Sequence, residues 1–236
     1  MDARTIDRWI GIGLLGLPLY GVLTFWSSLD PQPDPNTHYE AWSRFVTTDA
    51  YVLKHLLLSV LGIIFQVFGT FALGAHLAGS RAGRLGLVAM SLTILGSTLF
   101  LTIGGVSTFA APVEGQAYLA GIERYSELPT ILAASAQTAT FAASILLGFA
   151  GNVLLGVAVW RSGALPRWSG ALWAAAPVLM YVFGLVYAMT IGAASTPPTV
   201  PAGAVLLTMS GAWMAWSVLR GLSAGKVGTG AQPRVQ

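Results

Sequence analysis

The chain has 236 residues, of which 55% are hydrophobic and only 9% charged. A water-facing surface needs roughly 25% charged residues, so a soluble globular domain is excluded and lipid must replace water around most of the molecule. There is no cysteine, which rules out disulfides, thiolate metal sites and cysteine nucleophiles. The net charge of +3 acquires its meaning from where the basic residues fall along the chain.

A membrane-crossing helix needs about 20 mostly apolar residues. The first such run, residues 9–29, follows Arg4 and Arg8 and contains no charge. It exceeds a signal-peptide core and lacks a small-x-small cleavage pattern, so it reads as a retained helix. A polar segment opened by Asp30-Pro-Gln-Pro-Asp-Pro35 separates it from a second span at 51–78. The short link Gly79–Arg84 leads to a third span at 85–111, and a polar segment, 112–128, precedes the fourth at 129–160. A fifth span at 168–194 and a sixth at 202–219 complete the series, divided by a Thr196-Pro-Pro-Thr-Val-Pro201 turn. The fold class expected is therefore an all-α bundle of six transmembrane helices, one domain over 1–222, followed by a flexible tail at 223–236.

Lys and Arg in short loops orient such a bundle. With the N-terminus inside, Arg4, Arg8, Arg81, Arg84, Arg161, Arg167, Arg220, Lys226 and Arg234 lie on the cytoplasmic side, against Arg44, Lys54 and Arg124 outside. Both termini are thus expected in the cytoplasm, and the basic balance is a topology signature, not a nucleic-acid footprint. The partners expected are the lipid bilayer and a membrane protein or second copy.

Within the spans, helix four carries small or polar residues at every fourth position: Ala136, Thr140, Ser144, Gly148, Asn152 and Gly156. Ridges of this kind allow close helix approach in lipid, within one chain or between copies. Gly11, Gly13 and Gly16 of the first span match G-x-G-x-x-G, but no strand precedes them, so the nucleotide reading fails. Arg8-Trp9-x-Gly11 with Pro18 is echoed by Arg167-Trp168-x-Gly170 with Pro177. That echo fits either an internal repeat or two ordinary interfacial anchors, with a kink at each proline.

No Asp, Glu, Lys or Arg falls inside the spans so drawn, save Lys54 near an edge. That excludes a pump built on buried carboxylates and a retinal protein, which needs a mid-membrane lysine. The polar residues at depth are Gln66, Gln137 and Asn152, with His76 nearer the cytoplasmic face. They either line a cavity or bond helices together, and Gln66 and Asn152 are the first to mutate. His55 and His76 stand about 31 Å apart on one helix and share no metal. No metal site and no cofactor is expected, the one alternative being a haem or a membrane enzyme on the external face around His38 and His55.

The two polar segments carry aromatic residues at helical spacing: Tyr39, Trp42 and Phe45 in one, Tyr118, Ile122 and Tyr125 in the other. Each is expected as a short amphipathic helix along the outer interface, capping a cavity or docking a partner.

The stretches Arg81-Ala-Gly-Arg-Leu-Gly-Leu-Val88 and Trp160-Arg-Ser-Gly-Ala-Leu-Pro-Arg-Trp168 resemble small bacterial multi-spanning proteins of the domain-of-unknown-function kind, typified by the DUF4386 group. The resemblance covers roughly residues 55 to 220. It implies a six-helix protein of the bacterial inner membrane and carries no catalytic residues. The function expected is non-enzymatic: binding or passing a neutral or hydrophobic small molecule, or serving as an accessory subunit of a membrane complex.

Overall fold

The computed structural model describes residues 3–29, 32–122, 131–191 and 196–227, with the side chains of 3, 4, 131–134 and 222–227 left aside. Six helices among them are long and apolar enough to cross a membrane. In chain order α1 comprises Ala3–Leu14 and Gly16–Ser27, and α2 is the short helix Tyr39–Val46. Then follow α3 (Asp49–Ala78), α4 (Gly83–Leu119), α5 (Ile131–Ser162), α6 (Arg167–Ile191) and α7 (Thr199–Val227). No strand occurs among the described residues.

Each spanning helix packs against its neighbour in sequence, and α7 returns to close on α1. The bundle is therefore a ring of six, and direct contact across its middle is slight, chiefly between α3 and α5. The α4–α5 contact is the most extensive. Glycines on both helices permit it: a Cβ on Gly96 would run into the backbone nitrogen of Gly148 and lie 2.8 Å from its Cα, and one on Gly151 would lie 2.8 Å from the Cα of Thr93. The backbone of α5 approaches α4 this closely only because Gly96 lacks a side chain. Further along α5, Gly156 is pressed in the same way against Gly170 of α6. From Ser144 onward the small-residue ridge of α5 is thus buried against the bundle's own helices, while Ala136 is exposed.

One end of the ring is basic. Arg8, Arg81, Arg84, Arg161, Arg167 and Arg220 are all exposed there, with Arg167 lying over the rings of Trp160 and Trp168 and Arg220 over Trp216. Aromatic rings beneath guanidinium groups suit the depth of lipid headgroups. Just within this end is an apolar plug in which Leu14, Leu17, Leu73, Leu77, Leu155, Val159, Trp173 and Met214 are wholly buried.

Both prolines interrupt their helices. Pro18 cannot donate to Leu14, and α1 breaks at Leu15, whose N–H turns to Ile12 at 3.1 Å. Pro177 ends the regular part of α6, and a π-helical turn, Val178–Phe183, follows it. Wide turns of the same kind occur at His55–Val60 in α3 and Val106–Ala110 in α4.

Three expectations need correction. The segment after the third span does not form a separate amphipathic helix up to Tyr118: α4 runs on to Leu119, the π-helical turn Val106–Ala110 leading into Pro112 without ending the helix. Residues 123–130, including Tyr125, lie outside the described residues. The sixth helix continues to Val227, past the boundary set for the tail. Finally, α2 does form, but its apolar side docks on protein: Val46 is buried and packs with Gly115 of α4. Tyr39 donates to Glu114 Oε1 at 2.7 Å and meets Tyr118 edge-on.

Candidate functional site

The middle of the ring encloses a cavity of about 510 Å³, and every spanning helix contributes to its wall. Its rim is at the end opposite the arginines, where exposed Gln32 and Thr196 stand beside Ser28 and Pro197. From there it runs down past Ser59 and Ser144 to Gln66 and Asn152. Leu58 to Gln66 and Ser144 to Asn152 are each eight steps along a helix, so the cavity is about 12 Å deep along the helices. No charged side chain lines it among the described residues. Hydroxyls and amides alternate with Ile63, Phe100, Ile145, Met180 and Val200, a wall suited to a molecule that is part polar and part apolar. The space exists partly because Gly148 lies on the wall: a Cβ built there meets nothing within 4 Å.

The floor is a connected set of polar groups from four helices. Trp173 Nε1 of α6 donates to Asn152 Oδ1 of α5 at 3.2 Å. An indole nitrogen can only donate, so this contact fixes which end of the Asn152 amide is oxygen. The amide nitrogen then donates to the Gly148 carbonyl at 2.8 Å. Gln66 Nε2 of α3 reaches the same Asn152 oxygen at 3.5 Å, and Ser97 of α4 donates to Gln66 Oε1 at 3.1 Å. All four side chains are buried. Buried in an apolar bundle, an amide needs partners, and each of these two leans on a residue from another helix. The Gln66–Asn152 contact spans the ring between α3 and α5 and closes the cavity above the apolar plug.

Gln66 and Asn152, picked out in the sequence as polar residues at depth, are thus brought together. Gln137 is not with them: it is exposed near the start of α5, on the rim side of Ser144. Its distance along the helix, not its chemistry, removes it from the wall. His76 also lies elsewhere, ten residues past Gln66 toward the basic end, half-buried with Nε2 enclosed and unpartnered among the described residues.

The external candidates divide. His55 stands near the mouth, with Nε2 3.4 Å from Gln32 Nε2 and its ring against Tyr51 at 4.1 Å. It lines a second hollow of only about 50 Å³, which shares Ser27, Gln32, Leu58 and Ser59 with the large cavity. Between the two hollows Ser27 Oγ and Ser59 Oγ are 3.0 Å apart, joining α1 to α3. His38 is exposed and bonds Thr37 at 2.8 Å. Trp42 and Tyr118 flank Tyr39 where α2 docks on α4, and neither lines the cavity.

The segment that supplies Gln32 is shaped by Asp34. Its carboxylate accepts the Asn36 backbone N–H at 2.9 Å, and this bond holds its pKa below the ordinary carboxylate value.

Sequence reasoning missed Tyr20 and Tyr181 on the cavity wall and Ser97 and Trp173 in its floor. A signal was present in Trp173: five residues inward of Trp168, a tryptophan below the headgroup belt must find an acceptor for its N–H.

No family model matches the chain, and neither a curated protein nor a solved structure does.

Proposed function

We propose that this protein is a multi-pass protein of the bacterial inner membrane that takes up a neutral, amphipathic small molecule from the external side. The observation that carries the reading is the cavity lined by all six helices, without a charged side chain among the described residues, open away from the basic end and closed toward it by the apolar plug. Basic residues favour the cytoplasmic side, so the mouth faces out. A cavity of this size suits a small organic ligand. An ion would be left without a counter-charge at depth, at a cost of several kcal/mol. Passage through the bundle requires the plug to part, and the interruptions at Leu15 and after Pro177 in α1 and α6 are where those helices bend most easily. The hollow beside His55 has room for a water or two and none for a porphyrin, so nothing favours the haem reading.

The absence of cysteine makes the test simple. Ser144→Cys is expected to react with a membrane-impermeant thiosulfonate added to the external side of oriented vesicles. Adding Gly148→Leu, whose side chain grows into the cavity, is expected to slow that reaction at least about tenfold. Labelling from the cytoplasmic side alone, or labelling indifferent to Gly148→Leu, would refute the proposal.

A further inference from the structure

The hydrogen bonds on the cavity floor define what is left for a ligand, and we infer that the site reads an uncharged amide-type group, a carboxamide or lactam, attached to an apolar body. This rests on the small-molecule reading above and narrows it. Asn152 Oδ1 already accepts from Trp173 and Gln66, so both of its lone pairs are engaged. Asn152 Nδ2 has given one hydrogen to Gly148 and retains one. Gln66 Nε2 has given one to Asn152 and likewise retains one. The two amides therefore present two N–H donors, with orientations set in turn from the Trp173 indole.

The hydroxyls supply the complement. The proton of Ser97 is committed to Gln66 Oε1, and that of Ser144 to the Phe141 carbonyl at 2.7 Å. Both oxygens are left as acceptors, and Gln66 Oε1 keeps one lone pair. Fixed donors beside fixed acceptors, with no charge of either sign on the wall among the described residues, match a group that carries C=O and N–H side by side. A ketone satisfies the donors only, a carboxylate brings an unpaired charge, and a hydrocarbon satisfies neither. Rigid polar groups left unpaired by the wrong ligand are what give such a site its discrimination. The apolar body of the ligand lies higher, among Ile63, Phe100, Ile145 and Met180.

Four naphthalenes of like size test this on the full chain in detergent: 2-naphthamide, 2-acetylnaphthalene, 2-methylnaphthalene and 2-naphthoate. Binding is measured by equilibrium dialysis, with Gly148→Leu as the blank for partition into micelles. The amide is expected to bind about 10-fold more tightly than the ketone and about 100-fold more tightly than the hydrocarbon, one net hydrogen bond being worth about a factor of ten. The naphthoate is expected not to exceed the blank. In Gln66→Leu and Asn152→Leu the advantage of amide over hydrocarbon should fall below about tenfold while the hydrocarbon binds as before. Equal binding of amide and ketone, or of amide and hydrocarbon, overturns the amide reading and leaves the cavity reading standing. Preferential binding of the naphthoate overturns it as well. If no neutral probe exceeds the Gly148→Leu blank, the cavity reading falls and this inference falls with it.

Discussion

Replacing Asn152 by Leu should destabilise the bundle chiefly through the tryptophan it leaves behind. Trp173 is wholly buried, and its N–H has the Asn152 oxygen as partner. Without that oxygen the indole donor is enclosed and unpaired, which costs about 1–3 kcal/mol in soluble proteins. Side-chain hydrogen bonds between membrane helices have measured at about 0.6 kcal/mol on average and about 1.7 at most, so we expect about 1.5 kcal/mol. The other bonds of Asn152 add little. The Gly148 carbonyl keeps its backbone partner, and Gln66 faces a cavity roomy enough for water. Gln66→Leu should cost less, about 0.5 kcal/mol, because the Ser97 hydroxyl can turn to a backbone carbonyl one turn back, as Ser91 and Thr98 do on the same helix. The decisive experiment is the cycle with Trp173→Phe, using reversible unfolding in mixed micelles followed by circular dichroism. Once the indole N–H is absent, Asn152→Leu should cost only about 0.5 kcal/mol, a coupling of about 1 kcal/mol. Equal costs on both backgrounds, within the roughly 0.5 kcal/mol at which independent sites add, would refute the claim that Trp173 and Asn152 act as one unit.

The remaining expectations are simpler. Gly96→Ala places a methyl group against the Gly148 backbone, which cannot yield as a side chain would; a loss of about 2 kcal/mol is expected, and an unchanged unfolding midpoint would contradict the close approach of α4 and α5. Tyr39→Phe removes a charge-assisted bond to Glu114 worth about 1.5 kcal/mol; trypsin cleavage at exposed Arg44 should then quicken about tenfold, and an unaltered rate would show that α2 is held by its apolar contacts alone. Because the pKa of Asp34 is lowered in the folded chain, its contribution to the order of residues 34–38 is present above the ordinary carboxylate range and disappears as pH falls through the folded value. Hydrogen exchange at the Asn36 amide should therefore lose protection on acidification, and Asp34→Asn should remove that pH dependence.

Much of the architecture was legible because lipid imposes a one-dimensional rule. A chain with 9% charged residues and apolar runs of about 20 has few options in water, and the runs that length and hydropathy mark are the helices that form. The ridge on the fourth span was legible too, because small residues at every fourth position have few uses besides close packing. Reading failed at the ends of helices, where aromatic periodicity in 114–125 resembled a separate surface helix and was in part the continuation of α4. Periodicity describes a face and does not say whether lipid or protein covers it. Docking of α2 on Glu114, Gly115 and Tyr118 is what decides that.

The site shows the same division. The sequence singled out Gln66, Gln137 and Asn152 by one criterion, an uncharged polar side chain within an apolar run, and this criterion is blind to where along the bundle a cavity opens and ends. The ring closed by α7 on α1 brings Gln66 and Asn152 together across the middle, while Gln137 lies seven residues before Ser144 and beyond the wall. Residue by residue, then, the sequence determines that six segments are long and apolar enough to cross a membrane and that they carry almost no charge, because each is a property of segments. The cavity, the order of hydrogen bonds from Trp173 to Ser97 and the donors left over belong to the tertiary structure. They depend on which faces of six helices meet, and that is set by glycine contacts between residues as far apart as Gly96 and Gly148.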